Sequence, residues 1–106
     1  MRYELHNGAI HVSESLQKAI THKIGKIEER LKRYHPDVAD LEIRLTHMEK
    51  VDEYECSLVL KAFKDTLFTK KDAPELRVAV DRGFDALLRE IEQYRSKLNK
   101  SLQAHG

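Results

Sequence analysis

Residues 75–102 read ELRVAVDRGFDALLREIEQYRSKLNKSL, and this stretch decides the fold. Its apolar positions, with one glycine among them, recur every three or four residues: Leu76, Val80, Gly83, Phe84, Leu87, Ile91, Tyr94, Leu98 and Leu102. That spacing predicts a single helix, about 40 Å long, with one continuous apolar face that packs against other elements. The place of Gly83 on that face indicates a close approach to a neighbouring element.

The opposite face of this helix is sorted by charge. Its basic residues share one arc of a helical wheel: Arg82, Arg89, Lys97 and Lys100. Its acidic residues share the next arc: Asp81, Asp85 and Glu92. A helix that needs only solubility usually mixes its charges in i,i+4 pairs, so the sorting favours a charged partner. The plain alternative is a core helix with a solvated back.

Length and composition are typical of one soluble globular domain. The chain has 106 residues, of which 35% are charged, and its net charge is +1. Because this net charge creates almost no global field, binding to a polyanion must come from local segregation of charge. Cys56 is the only cysteine, so no intramolecular disulfide can form, and a reducing compartment is expected. The start MRYELHNGAI has no apolar leader pattern, and a cytoplasmic location is expected.

A second charge-sorted helix is predicted after Ser13, a plausible N-cap residue. Apolar residues hold helical spacing at Leu16, Ile20, Ile24, Ile27, Leu31 and Tyr34. Pro36 ends the helix, since the residue before proline is pushed out of the α region. One flank of the apolar stripe is basic: Lys23, Lys26, Arg30 and Arg33.

Four segments alternate with period two and predict strands: residues 2–7, 41–46, 54–62 and 66–70. The polar residues 47–53 are expected to connect two antiparallel strands. The order β-α-β-β-β-α predicts an α+β fold, a four-stranded sheet with both helices on one face. The first two strands are expected to be parallel and the later ones antiparallel. The whole chain, residues 1–106, is interpreted as one domain, with the long C-terminal helix over about 75–102.

No residue pattern typical of catalysis or metal binding occurs. The six histidines form neither H-x-x-x-H nor H-E-x-x-H, and there is no C-x-x-C, glycine-rich phosphate loop or G-x-S-x-G elbow. Cys56 lies on the inward phase of a strand, which favours a small buried hydrophobic side chain over a nucleophile. Asp81 and Asp85 favour a solvated face over a carboxylate pair. We therefore expect no enzymatic activity, no cofactor, no metal and no small-molecule substrate.

Ordered motifs across almost the whole chain resemble a known family. They are H-V-S-x-x-L from His11, K-I-x-K-I-E from Lys23, L-F from Leu67, L-x-V-A-V-D from Leu76 and D-x-L-x-R from Asp85. In their order and spacing they are similar to the ribosome hibernation-promoting factors and ribosome-associated inhibitors, also called sigma-54 modulation proteins. The resemblance implies the β-α-β-β-β-α layout, akin to double-stranded RNA-binding domains.

The resemblance also implies a function. Such proteins bind the small ribosomal subunit in the channel for messenger RNA and tRNA, and they inhibit translation under stress or in stationary phase. Binding is implied to run from basic helix residues to ribosomal RNA phosphates. The positions that match the family pattern are Lys23, Lys26, Arg30, Arg89 and Arg95. Four further candidates rest on the helical wheel alone: Arg33, Arg82, Lys97 and Lys100.

Some residues depart from the family pattern. Ala86, Glu92 and Gln93 replace basic residues, while Lys70 and Lys71 stand in a usually acidic segment. The chain resembles the short type of the family, without a dimerisation domain, and a free monomer is expected. The competing hypothesis is a protein-interaction module that docks through Leu98 and Leu102 on an overhanging helix end. A ferredoxin-like enzyme is a third possibility, for which no set of catalytic residues can be named.

Overall fold

Four strands and two helices make up the fold: β1 Arg2–His6, α1 Glu14–Leu31, β2 Asp40–Met48, β3 Glu53–Ala62, β4 Asp65–Ala73 and α2 Leu76–Ala104. The computed structural model describes residues 1–32, 39–62 and 65–104, with side chains up to Lys97. The element order confirms the β-α-β-β-β-α prediction. No helix in these ranges is long and apolar enough to cross a bilayer.

The sheet has the order β1-β2-β3-β4, so each strand pairs with its successor among the strands. β1 and β2 are parallel, with Tyr3 opposite Leu41 and Leu5 opposite Ile43. The β2–β3 and β3–β4 pairs are antiparallel. Both the parallel first pair and the antiparallel later pairs confirm the sequence-based prediction.

The core lies on one side of the sheet, where both helices pack. Because side chains alternate along a strand, the apolar positions of each strand share one face. The buried sheet residues on this face include Leu41, Ile43, Leu45, Cys56, Leu58, Leu60 and Ala62. The helices contribute Leu16, Ile20, Ile24, Ile27, Leu31, Val80, Phe84, Leu87 and Ile91 to the same cluster. The opposite face of the sheet is solvated.

Helix α1 begins as its sequence predicts. The Ser13 hydroxyl accepts a hydrogen bond from the Leu16 amide at 3.1 Å, which satisfies an otherwise unpaired donor of the first turn. At the other end the Lys32 amide donates to the Glu28 carbonyl at 2.9 Å. The predicted helix end at Pro36, together with Tyr34, lies outside the described residues.

Helix α2 approaches β3 closely at Gly83. A Cβ atom at this position would lie 2.9 Å from the Cys56 Sγ, which confirms that the glycine permits a tight contact. The Thr69 hydroxyl donates to the Gly83 carbonyl at 3.3 Å and fixes β4 to the same turn of the helix. Farther along, Tyr94 is only half-buried. Burial and a hydrogen bond to the Asp65 carboxylate raise the pKa of its hydroxyl.

Three strands, β2, β3 and β4, are longer than predicted. β2 runs through Met48 and β3 starts at Glu53, so the expected connection 47–53 shrinks to 49–52. His47 lies opposite Tyr54 and their rings stack at 4.7 Å, which extends the pairing. Asp52 takes the positive φ of 49° that the short turn requires. β4 continues from the predicted end at Lys70 to Ala73, which is buried.

Candidate nucleic-acid interface

The two helices run side by side in the same direction. Helix α2 runs antiparallel to β4, because Arg82 donates to the Asp72 carbonyl at 3.0 Å while Tyr94 reaches Asp65 at the other end of the strand. Since β2 and β4 are parallel to each other and α1 runs opposite to β2, α1 and α2 are parallel. Their charged flanks therefore face each other across a groove on the helix layer.

An inner ion pair crosses this groove. The Lys23 Nζ lies 3.0 Å from the Asp81 Oδ1, and only 17% of the Lys23 side chain is exposed. The Arg77 Nε lies 3.4 Å from the same oxygen. Burial opposes ionisation of Asp81, but these two cations outweigh it and hold the pKa of the carboxyl below its usual range. Lys23 is thus engaged within the molecule and is largely shielded from solvent.

An outer ion pair crosses the groove farther along both helices. The Arg30 guanidinium contacts the Glu92 carboxylate, and the two side chains are 52% and 43% exposed. The Arg95 Nη1 lies 3.9 Å from the other oxygen of Glu92. The carboxylate therefore lies between one guanidinium of α1 and one of α2.

These contacts show that part of the sorted charge on each helix is paired with the other helix. The basic flank of α1 faces part of the acidic arc of α2, so the two strips partly neutralise each other. A helical wheel gives the sector in which each charge lies but not the helix that it faces. For this reason Asp81, Glu92 and Arg77 were not recognised from the sequence as members of the site.

Other predicted basic residues are available to a partner. Within the described part of the chain, Lys26, Arg89 and Lys97 are exposed and form neither an ion pair nor a side-chain hydrogen bond. Lys26 stands between Lys23 and Arg30 on the groove flank of α1. Arg82 is also exposed, although its guanidinium is tied to the Asp72 carbonyl.

The structure brings together only part of the predicted set. Arg33 and the side chain of Lys100 lie outside the described residues, as do the side chains of Leu98 and Leu102. Lys97 lies about 80° from Arg89 on the helical wheel, toward the β4 side of α2. The residues that meet at the groove are Lys23, Lys26, Arg30 and Arg95, with Arg89 on the outward face of α2.

The outer face of the sheet is charged but balanced. Three of its cations are paired with carboxylates, in Arg2–Asp40 at 3.2 Å, Arg44–Glu42 at 2.8 Å and Lys70–Glu55 at 3.4 Å, while Lys61 is exposed and has no ion pair among the described residues. The hydrogen bond from Arg44 lowers the pKa of Glu42. Lys70 points away from the helices, so it adds no charge to the groove. This face offers a polyanion less unpaired positive charge than the helix layer does.

No group of three histidine, cysteine, aspartate or glutamate side chains among the described residues is placed to hold a metal ion. Cys56 is fully buried, and its burial, helped by the charge of Glu55, raises the pKa of the thiol to about 12. A thiol held protonated in this way is a poor nucleophile.

Comparisons with known proteins agree with the motifs and the fold. The family model described as "Sigma 54 modulation protein / S30EA ribosomal protein" matches residues 3–99. The N-terminal domain of Protein Y from Thermus thermophilus superposes with a TM-score of 0.70 at 15% identity, over 89% of this chain and 99% of that chain. A ribosomal subunit interface protein from Coxiella burnetii gives a TM-score of 0.67 at 14% identity, over 91% and 99%. At these identities the two structures establish a common fold.

Proposed function

The chain belongs to the sigma 54 modulation protein / S30EA ribosomal protein family, and from this premise we propose that it is a ribosome-associated inhibitor of translation. It binds the small subunit in the channel for messenger RNA and tRNA and keeps idle ribosomes inactive under stress or in stationary phase. Its role is binding without catalysis, in the cytoplasm, as a monomer when free. The description of the Coxiella burnetii neighbour as a ribosomal subunit interface protein supports this proposal.

The observation that carries the proposal is the unpaired positive charge on the helix layer. Lys26 and Arg89 are exposed and without partners among the described residues, and Arg30 is half exposed beside them. RNA helices are recognised largely through shape, phosphates and 2′-hydroxyl groups, which a surface of this kind can contact without reading bases. Arginine grips a phosphate in bidentate fashion, whereas lysine acts as a point charge.

The proposed contacts are expected to contribute unequally to RNA binding. Lys26, Arg30 and Arg89 form the centre of the interface, Arg95 borders it, and Arg82 and Lys97 extend it along α2. Lys23 acts mainly through its ion pair with Asp81, so its contribution to RNA binding is indirect. Arg33 and Lys100 stay predictions from the sequence.

Co-sedimentation with purified small subunits across a salt series tests the proposal. We expect binding that weakens steeply with salt, because neutralised phosphates release counterions. The double variant Lys26→Gln/Arg89→Gln should bind about tenfold or more weakly at 0.1 M salt, with a salt slope reduced by about two. The matched control is Lys50→Gln/Lys61→Gln, which removes the same charge from the β2–β3 turn and the outer sheet face.

Two results would contradict the proposal. If the wild-type chain failed to bind small subunits even at low salt, the ribosomal function would be rejected, and docking through the end of α2 would become the leading hypothesis. If both double variants weakened binding equally, the charge effect would be general and the helix layer would not be the interface.

A further inference from the structure

The Glu92 carboxylate occupies a place suited to a phosphate. One of its oxygens contacts the Arg30 guanidinium and the other lies 3.9 Å from the Arg95 Nη1. Two guanidinium groups from different helices thus converge on one anion. Arginine binds carboxylates and phosphates with the same fork of N–H donors, so what holds Glu92 can also hold a phosphate oxygen.

The same place is open to solvent. A cavity of about 510 Å³ is lined by Arg30, Lys32, Arg95 and Glu29, next to the Arg30–Glu92 contact. The three partners Arg30, Glu92 and Arg95 are 52%, 43% and 37% exposed. Ion pairs with this exposure are weak because water solvates both charges, so an incoming anion can exchange with the carboxylate.

We propose that Glu92 is an intramolecular competitor for an RNA phosphate at Arg30 and Arg95, and that it sets the affinity of the helix layer for RNA. The inference rests on the proposed function. In the free protein the carboxylate holds the two guanidinium groups together, and on binding a backbone phosphate replaces it.

The inner ion pair does not share this property. Lys23 is 17% exposed, and Asp81 is held by both Lys23 and Arg77. Asp81 and Arg77 are themselves 42% and 54% exposed, but a phosphate that replaced Asp81 would have to reach the shielded Lys23 Nζ to gain a second cation. The competition is therefore specific to Glu92.

The test compares Glu92→Gln with Glu90→Gln in the full chain. Glu90 is exposed on the same helix and has no partner among the described residues, so both variants gain one unit of charge. The first probe is inorganic phosphate, followed through the Nε–H resonances of Arg30 and Arg95. We expect Glu92→Gln to respond at about three- to fivefold lower phosphate than Glu90→Gln, which is the upper part of the range for one exposed ion pair.

The second probe is the small ribosomal subunit. Glu92→Gln should bind about three- to fivefold more tightly than Glu90→Gln. Its salt slope should also be steeper, by up to about one, because no freed carboxylate takes up a cation on binding. In a background of Arg30→Gln the advantage of Glu92→Gln should disappear.

Equal phosphate responses of the two variants would overturn the inference. So would an advantage of Glu92→Gln that survived in the Arg30→Gln background, since the effect would then not depend on the shared anion site. If phosphate binding distinguished the variants while none of them bound the subunit, the competitor role of Glu92 would stand and the proposed ribosomal function would fall. Thermal unfolding of each variant verifies that the comparison is made on folded protein.

Discussion

Gly83 of α2 lies against Cys56 of β3 so closely that a Cβ atom on the glycine would approach the sulfur to 2.9 Å and the Cys56 Cβ to 3.3 Å. Both residues are buried in the middle of the core. This contact fixes the distance between the long helix and the sheet, and with it the position of the charged groove.

Gly83→Ala should therefore destabilise the fold despite the better helix propensity of alanine. Overpacking costs about 1–3 kcal/mol, against a propensity gain of about 1 kcal/mol, so we expect a net loss of up to about 2 kcal/mol in the free energy of unfolding. Gly25→Ala on α1 is the matched control, since a Cβ there would meet nothing within 4 Å. It should gain about 0.5–1 kcal/mol. Urea unfolding followed by circular dichroism measures the stability of both variants. Equal stabilities of Gly83→Ala and Gly25→Ala would refute the close-contact explanation.

Mutation of the two cross-helix ion pairs should have different effects: loss of the inner pair should reduce stability, and loss of the outer pair should reduce subunit binding. Lys23→Met removes a shielded charge and leaves Asp81 with less compensation, so we expect a loss of about 1–2 kcal/mol in stability. Arg30→Met breaks an exposed pair, should cost less than about 0.5 kcal/mol, and should weaken subunit binding. Denaturant unfolding and co-sedimentation on both variants check this. The reverse assignment of stability and binding losses would show that the inner lysine is the RNA contact.

Stability at low pH should depend on Asp81. Its pKa in the folded protein is lowered, so the stabilisation is fully present above the unfolded value and is lost as the pH falls through the folded value. For an aspartate this window opens below about pH 4. We expect Asp81→Asn to be less stable than the wild type at pH 6 and to converge with it in acid. Asp85→Asn removes an exposed carboxylate on the same helix, and its stability should change with pH in the same way as that of the wild type. Urea midpoints between pH 2.5 and 6 provide the comparison.

The Cys56 thiol should be inert in the native protein. Its pKa of about 12 and its complete burial leave almost no thiolate at pH 8. A thiol-reactive reagent should therefore label Cys56 only as fast as the core opens, and labelling should become rapid in urea. Rapid labelling without denaturant would mean that the contact between α2 and β3 opens easily.

Most of the fold could be predicted because residues that are buried in a helix or strand recur at regular spacing in the sequence. The described parts of the stripes of α1 and α2, the alternation in β2 and β3 and the close approach at Gly83 were all confirmed, and so was the family resemblance. The predicted end of β4 is too early because the last residues of this strand are mostly polar: Lys70, Lys71 and Asp72. His47 was placed in a loop because its stacking on Tyr54 depends on the strand register, which a single segment does not reveal.

The candidate site was less accessible to sequence analysis. Each helix shows which residues share a flank, and Lys23, Lys26 and Arg30 do lie on one flank of α1, while Arg33 lies outside the described residues. The distance between flanks depends on how two helices pack, and no local pattern encodes the meeting of Arg30 with Glu92. The roles of the individual basic residues in RNA binding stay predictions until the variants above are measured.

The sequential strand order divides the molecule into a local and a distant part. β2, β3, β4 and α2 each pack on their neighbour in the chain, whereas the pairing of Arg2 with Asp40 closes a loop of 38 positions. Closing that loop has an entropic cost that the short hairpins do not bear. We expect β2–β4 to acquire amide protection first during refolding and β1 to join last, which pulsed hydrogen exchange can resolve. The groove would then be assembled only in the final step, when α1 docks beside a helix already in place.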